Sequence, residues 1–270
     1  MSKNKKIGIV TGGNGFLGPL HTQALLDLGM EVIVTDVQQE LDIEQYSNLL
    51  GLYKKKIHYS LMDVTDEKSV VSLRDFLISK SFNIAVLINN AAVDFKIENT
   101  ESTSASGRIE DFSCEQWDFE VNVGLKGAFI TSKIFGSQMN LQDAGGIILN
   151  IASDLSVIAP NHNLYVNDKH NLQSQPKKPI TYSAIKHGLL GITKYISTYW
   201  PEKVRCNAIS PGGIFNNQDE LFRKRIEKLI PMKRMCEKHE IVGAVKFLCS
   251  ENSSYVTGQN IVIDGGRSVW

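Results

Sequence analysis

A short apolar strand, Ile7-Gly8-Ile9-Val10, runs directly into Thr11-Gly12-Gly13-Asn14-Gly15-Phe16-Leu17-Gly18 and then into a helix predicted from Leu20 to Leu28 and stopped by Gly29. A glycine cluster alone would be a tight turn. Placed between a first strand and a first helix, it points to a dinucleotide-binding α/β unit. Glycines let the backbone approach a pyrophosphate, and the amides and dipole at the helix start stabilise its negative charge.

Later segments extend that unit. The strand Glu31 to Thr35 ends at Asp36, 18 residues after Gly18, where an adenosine ribose would lie. A carboxylate there accepts from ribose hydroxyls and repels a 2′-phosphate, and Val37, Gln38 and Gln39 bring no cation, so NAD is favoured over NADP. A third strand, Ile57 to Leu61, leads to Asp63-Val64 and a helix from Glu67 to Leu77, with Asp63 placed to hydrogen-bond an adenine amino group. The continuous apolar run of Ile84-Ala85-Val86-Leu87-Ile88 suits a strand buried on both faces. It closes on Asn89 and Asn90, whose amides can tie strand ends together, and small Ala91-Ala92 leave room beside them. With strands at Gly146 to Ala152, Val204 to Ile209 and Ile261 to Ile263, the pattern is a doubly wound Rossmann-type α/β fold. It has about seven parallel strands and helices on both faces.

Composition narrows the function. At 270 residues and 42% hydrophobic content, with no linker marked, the chain reads as a single domain spanning 1–270. The formal net charge is zero and basic residues are dispersed, so a nucleic-acid partner is not expected; Lys54-Lys55-Lys56 reads as a solvated face. Cys114, Cys206, Cys236 and Cys249 have neither zinc spacing nor a disulfide framework, and no metal is expected. No signal-type segment or membrane-length apolar run occurs, which implies a cytoplasmic protein without a membrane partner.

The chemistry is suggested by Tyr182 and Lys186, four residues apart and therefore neighbours on a helix. An ammonium beside a phenol favours the tyrosinate and makes the tyrosine a usable acid and base. Tyr165/Lys169 and Tyr199/Lys203 share the spacing, but the first lies in a polar, aperiodic stretch and the second is broken by Pro201. Only Tyr182/Lys186 has Pro179 ahead of it and an apolar stripe through Ile185, Leu189, Ile192 and Ile196.

Together these motifs resemble the short-chain dehydrogenase/reductase family from Lys6 to about Gly266, joined by Asn122, Ser153, Pro211-Gly212 and Thr257-Gly258-Gln259 before Ile261 to Gly266. The resemblance implies reversible NAD-linked oxidation of an alcohol to a ketone. Tyr182 would exchange the substrate proton, Lys186 would hold the nicotinamide ribose, Ser153 would hydrogen-bond the reacting oxygen, and Asn122 would position a water. It also implies a cofactor site formed by Gly12, Asn14, Gly15, Phe16, Leu17, Gly18, Asp36, Asp63, Val64, Asn90, Ala91, Ala92, Tyr182, Lys186, Pro211, Gly212 and Ile214. A homodimer or homotetramer is implied as well.

Departures from the family pattern shape the expected pocket. Gly12, Gly15 and Gly18 are evenly spaced, as in the branch that modifies nucleotide sugars, so an epimerase or dehydratase stands as the rival enzyme. A dinucleotide-sensing regulator without catalysis is the rival outside enzymes. Ser153 and Tyr182 are 29 residues apart because a polar segment near 160–178 intervenes, and Tyr165 would fit the family's separation better. That segment carries His162, Asn163, Asn167, Lys169, His170, Gln173, Lys177 and Lys178 against Asp168, which suits a sugar or sugar phosphate. A second insertion near 95–115 could reach the pocket mouth with Arg108 as an anion contact, although a free surface role is the favoured reading of Arg108, and 212–231 is the expected lid. The segments 153–160 and 265–270 also resemble a subgroup that makes bacterial surface or flagellin sugars.

Overall fold

Strand β1 (Lys6–Thr11) shows how this sequence commits to a buried sheet: Ile7 and Ile9 enter one hydrophobic layer and Val10 enters the other, each fully enclosed. In the computed structural model, which describes residues 5–93, 107–166, 171 and 174–270, six further strands pair parallel around it. They are β2 (Glu31–Asp36), β3 (Ile57–Leu61), β4 (Asn83–Asn89), β5 (Gly146–Ile151), β6 (Val204–Pro211) and β7 (Asn260–Ile263). Their order is β3-β2-β1-β4-β5-β6-β7, so the winding reverses between β1 and β4. In such sheets the reversal opens a crevice beyond the carboxyl ends of the strands.

Helices cover both faces. α1 (Gly18–Asp27), α2 (Ile43–Tyr53) and α8 (Val242–Leu248) enclose one layer, with Leu25, Tyr46 and Val245 inside it. α3 (Glu67–Ser79), α5 (Gly127–Leu141) and α6 (Ile180–Tyr199) enclose the other through Leu77, Phe135 and Ile196. α4 (Cys114–Val121) precedes α5, and α7 (Glu220–Lys228) stands off the sheet in a separate cluster with Leu164. A register shift where β4 meets β1, with Ile7 opposite Ile84 but Gly8 opposite Val86, puts Ile84 and Leu87 on one face and Val86 and Ile88 on the other.

The seven expected strands are present, and β3 has the expected limits. The helix expected over 240–248 is divided into a 3-10 turn, Lys238–Ile241, and α8. α2, α4 and α5 had no counterpart in the sequence reading. α5 is buried around much of its circumference, so its apolar residues make no clear stripe, and α2 carries Gly51 in its interior.

On α1, His21 is completely buried and neither ring nitrogen makes a hydrogen bond of good geometry among the described residues, although the Asn90 side chain is close enough to favour its protonated form. Burial lowers its pKa from 6.5 to about 4. Between those values the unfolded chain takes up a proton that the fold rejects, so this contribution falls as pH drops below 6.5. The expected cost between pH 7 and pH 5 is about 2 kcal/mol. A His21→Leu variant should lose that part of the pH dependence, measured as the difference in urea midpoint at the two pH values.

Candidate active site

The sheet reversal is held by two asparagines at the end of β4. Asn90 donates from Nδ2 to the carbonyls of Thr11 and Gly12 at 3.0 and 2.8 Å, and the Thr11 hydroxyl accepts from the amides of Asn90 and Ala91 at 3.1 Å each. Buried Asn89 donates to Asn150 Oδ1 on β5 at 2.8 Å and to the Ser132 hydroxyl of α5 at 2.9 Å. Asn150 in turn donates to Thr193 of α6 at 2.8 Å. The expected tie between strand ends is present, and it reaches two helices as well.

Beyond these strand ends lies a crevice of about 750 Å³. Its wall brings together Gly12, Asn14, Gly15, Phe16, Leu17, Asp36, Asp63, Val64, Asn90, Ala91, Ala92, Asn122, Ser153, Tyr182, Lys186, Pro211, Gly212 and Ile214. Gly18 is the exception: it is absent from the wall and instead packs α1 onto the turn, where an added Cβ would lie 1.9 Å from the Gly13 carbonyl oxygen. Gly12 adopts φ +60, with room for a Cβ denied by Ala91 Cα at 2.6 Å.

This crevice fits a dinucleotide. The amides of Phe16 and Leu17 have no acceptor among the described residues, α1 has no side-chain cap, and Pro19 has no N–H. An anion at this helix start would satisfy those donors. The Asp36 carboxylate accepts from the amides of Asn14 at 3.0 Å and Val37 at 2.8 Å, which fixes it at the crevice edge beside Gln38. Asn14 ties the glycine turn to the chain just after β2: its side chain donates to Gln38 and the Glu40 carbonyl and accepts from the Asp42 amide. Asp63 Oδ1 accepts from the amide and hydroxyl of Thr65.

At the other end, α6 presents Tyr182 and Lys186 together. Lys186 Nζ lies 5.6 Å from the Tyr182 ring centroid and donates to the Ile151 carbonyl at the end of β5, 2.8 Å away. Lys178 Nζ stands 3.8 Å over the same ring. Asn122 opens a π turn, Asn122–Lys126, in which the Gly127 amide reaches back to the Asn122 carbonyl. Single π turns inside helices are frequent at functional sites, and the Asn122 side chain has no partner among the described residues. Glu120, on α4, accepts from Gln116 at 2.6 Å and from the Thr181 hydroxyl, clamping α4 to the start of α6.

Tyr165 also borders the crevice, on a 3-10 turn, His162–Tyr165, but its ring packs against Phe222 of α7 with centroids 5.7 Å apart. Its sequence partner Lys169 lies outside the described residues, as do Asn167, Asp168, His170, Gln173 and most of the 95–115 insertion. Arg108 pairs with Glu110 at 2.9 Å and does not line the crevice. Burial pushes the thiols of Cys206 and Cys249 upward, the latter to about 12, which leaves both unreactive.

One arrangement was not anticipated. Ser153 donates to Asp154 Oδ1 at 3.0 Å and accepts from the Leu155 amide at 3.2 Å; Asp154 Oδ2 meets Arg267 Nη1 at 2.7 Å. Burial raises the Asp154 pKa, opposed by the Arg267 charge and the Ser153 hydroxyl. The partners are 113 residues apart, so no local pattern announces the pair.

A family model described as enoyl-(acyl carrier protein) reductase matches residues 17–178 and 173–268. The 7alpha-hydroxysteroid dehydrogenase of Bacteroides fragilis is 28% identical over 270 residues, covering 98% of this chain and 95% of the relative. An NAD-dependent glycerol dehydrogenase of Listeria innocua is 27% identical over 274 residues, covering 98% and 94%. Among solved structures, a short chain dehydrogenase from Leptospira borgpetersenii with bound NAD+ superposes with TM-score 0.82 at 30% identity, covering 98% of this chain and 94% of that one.

The turn geometry makes Gly18→Ala a sensitive probe. The collision with the Gly13 carbonyl is expected to cost about 3 kcal/mol. It should also weaken dinucleotide binding, with urea midpoint and fluorescence titration as the two measurements.

Proposed function

The chain belongs to the short-chain dehydrogenase/reductase family, an oxidoreductase group, and on that premise we propose that it interconverts an alcohol and a ketone on a polyhydroxylated substrate, with NAD as hydride carrier. The observation that carries the reading is the convergence of Tyr182, Lys186, Ser153 and Asn122 on the same crevice as the glycine turn. When bound, the nicotinamide supplies or accepts the hydride. Tyr182 gives its hydroxyl proton to the substrate oxygen in reduction and takes one in oxidation. Lys186, held by the Ile151 carbonyl, offsets the negative charge that develops on the phenol. Ser153 orients the reacting oxygen, and Asn122 holds water on the far side of Lys186.

NAD is supported by Asp36, whose carboxylate would repel a 2′-phosphate, by the NAD-dependent relative and by the NAD-bound structural neighbour. Relatives at similar distance act, by name, on a steroid and on glycerol, so the choice between apolar and polar substrates rests on this crevice's own wall. Asn161, Lys178, Asp154 and Arg267 face the substrate end and favour a sugar, polyol or sugar phosphate. The segment 212–231 acts as the lid: Ile226 and Ile230 pack with Leu164, and Arg225 donates to the Leu164 and Val166 carbonyls. Its closure would exclude water.

The fold acts as one catalytic domain. It works in the cytoplasm; no described helix is long and apolar enough to cross a membrane. It forms a homo-oligomer, supported by the exposed rings of Phe119, Phe129, Tyr195 and Tyr199 on α4, α5 and α6. Light scattering should return a dimer or tetramer mass, and a monomer would remove that part of the proposal. Tyr182→Phe should lower turnover by about 10²–10⁴-fold while NAD affinity stays near wild type, measured as NADH formation across a polyol and sugar phosphate panel. Unchanged turnover in that variant, or exclusive use of NADP by the wild type, would count against the reading.

A further inference from the structure

The Asp154–Arg267 pair sits in the wall of the crevice next to Ser153. Both side chains are nearly enclosed, at 4% and 7% exposure. Burying a guanidinium requires acceptors for its whole fork of N–H groups. Here the carboxylate meets only Nη1. Nε and Nη2 have no acceptor among the described residues, yet neither nitrogen is sealed off from open space. The arginine is therefore half used by the protein.

Its placement is built. Asp264 accepts from the amides of Gly266 at 2.9 Å and Ser268 at 2.7 Å, which fixes the turn after β7, and the Arg267 amide reaches the Asp264 carbonyl at 3.3 Å. Trp270 donates to the Leu229 carbonyl at 2.9 Å and holds the end of that turn against the base of the lid. A purely structural ion pair has no need to open toward the crevice. Among the described residues on the substrate end of the wall, Glu120 is committed to Gln116 and Thr181, and Asp154 to Ser153 and Arg267.

From this geometry we infer that Arg267 is a specificity-determining residue that anchors an anionic group of the substrate, a carboxylate or a phosphate, through Nε and Nη2. The inference rests on the dehydrogenase reading above and narrows its substrate class. Asp154 holds Nη1, so the free side of the guanidinium is presented edge-on, the geometry that a planar or tetrahedral oxyanion accepts in two hydrogen bonds. The anchor lies beside Ser153, so the alcohol carbon that reacts is within a short carbon chain of the anionic group.

The test uses NAD-loaded protein and calorimetry with two matched pairs, D-gluconate against D-sorbitol and glycerol 3-phosphate against glycerol. Each pair differs chiefly by its anion, and together they separate carboxylate from phosphate. The expected result is at least tenfold tighter binding of the anionic member of one pair, abolished by a joint Asp154→Asn and Arg267→Gln substitution that avoids leaving a lone buried charge and retains NAD affinity. Arg267→Lys should lose most of the discrimination despite keeping the charge. Equal affinity within both pairs, absence of binding included, overturns the anchor in the wild type without recourse to any variant. So does discrimination that survives the joint substitution. NADH formation from sorbitol or glycerol alone would overturn the anchor and leave the dehydrogenase reading standing, whereas failure of the wild type to bind NAD would remove both.

Discussion

A parallel sheet that reverses its winding leaves two neighbouring strands whose chains depart to opposite faces, and the backbone groups at their ends lose the partners that a continuing ladder would supply. Asn90 answers this at β1 by donating to two successive carbonyls, while the Asn89 side chain ties the end of β4 to the Asn150 side chain of β5. Buried amides of this kind are costly when incompletely bonded and strongly orienting when satisfied. The glycine turn, Ser153 and the carbonyl that receives Lys186 all stand on the strand ends so joined, and their relative positions descend from this network.

The end of the crevice lined by α6 adds a second constraint, the burial of charge. Lys186 is enclosed and tied to the Ile151 carbonyl, Glu120 is enclosed and tied to Gln116 and Thr181, and Asp154 is enclosed against Arg267. Each enclosed charge fixes one element against another: α6 against β5, α4 against α6, and the chain terminus against the turn after β5. Removing one member would strand its partner in a low-dielectric setting, which is far more destabilising than the modest net contribution of the pair itself. The same enclosure that rigidifies the wall also strengthens every hydrogen bond offered to a ligand there.

Much of the fold was legible because its signals are local. β1 to β4 are short apolar runs bounded by turn residues, and the Tyr182/Lys186 helix carries an apolar stripe as well as its chemical pair. α5 was not legible, since its exposed line at positions 129, 133, 137 and 141 carries Phe129 and Leu141 and so blurs the periodicity that betrays a helix. Nor was the part played by Gly18, which looks like a third phosphate glycine in the chain but serves the packing of α1 on Gly13. Spacing along the chain favoured Tyr165 over Tyr182. The helical context favours Tyr182, and both rings border the crevice, Tyr182 on α6 beside Lys186 and Tyr165 against Phe222.

By itself the sequence determined the strand order of chemistry along the chain: a glycine turn after the first strand, an acid at the second strand's end, paired asparagines after the fourth, and a phenol with an ammonium one helical turn away. These depend on neighbours within a few residues, where backbone geometry alone sets what can meet. Only the tertiary structure decided that Asp154 would meet Arg267 across 113 residues, that Asn89 would reach β5, α5 and, through Asn150, α6, and that Lys186 would be held by a strand carbonyl. Such partners are selected by the packing of whole layers, because a buried polar group takes whichever complement the assembled fold brings within hydrogen-bonding distance.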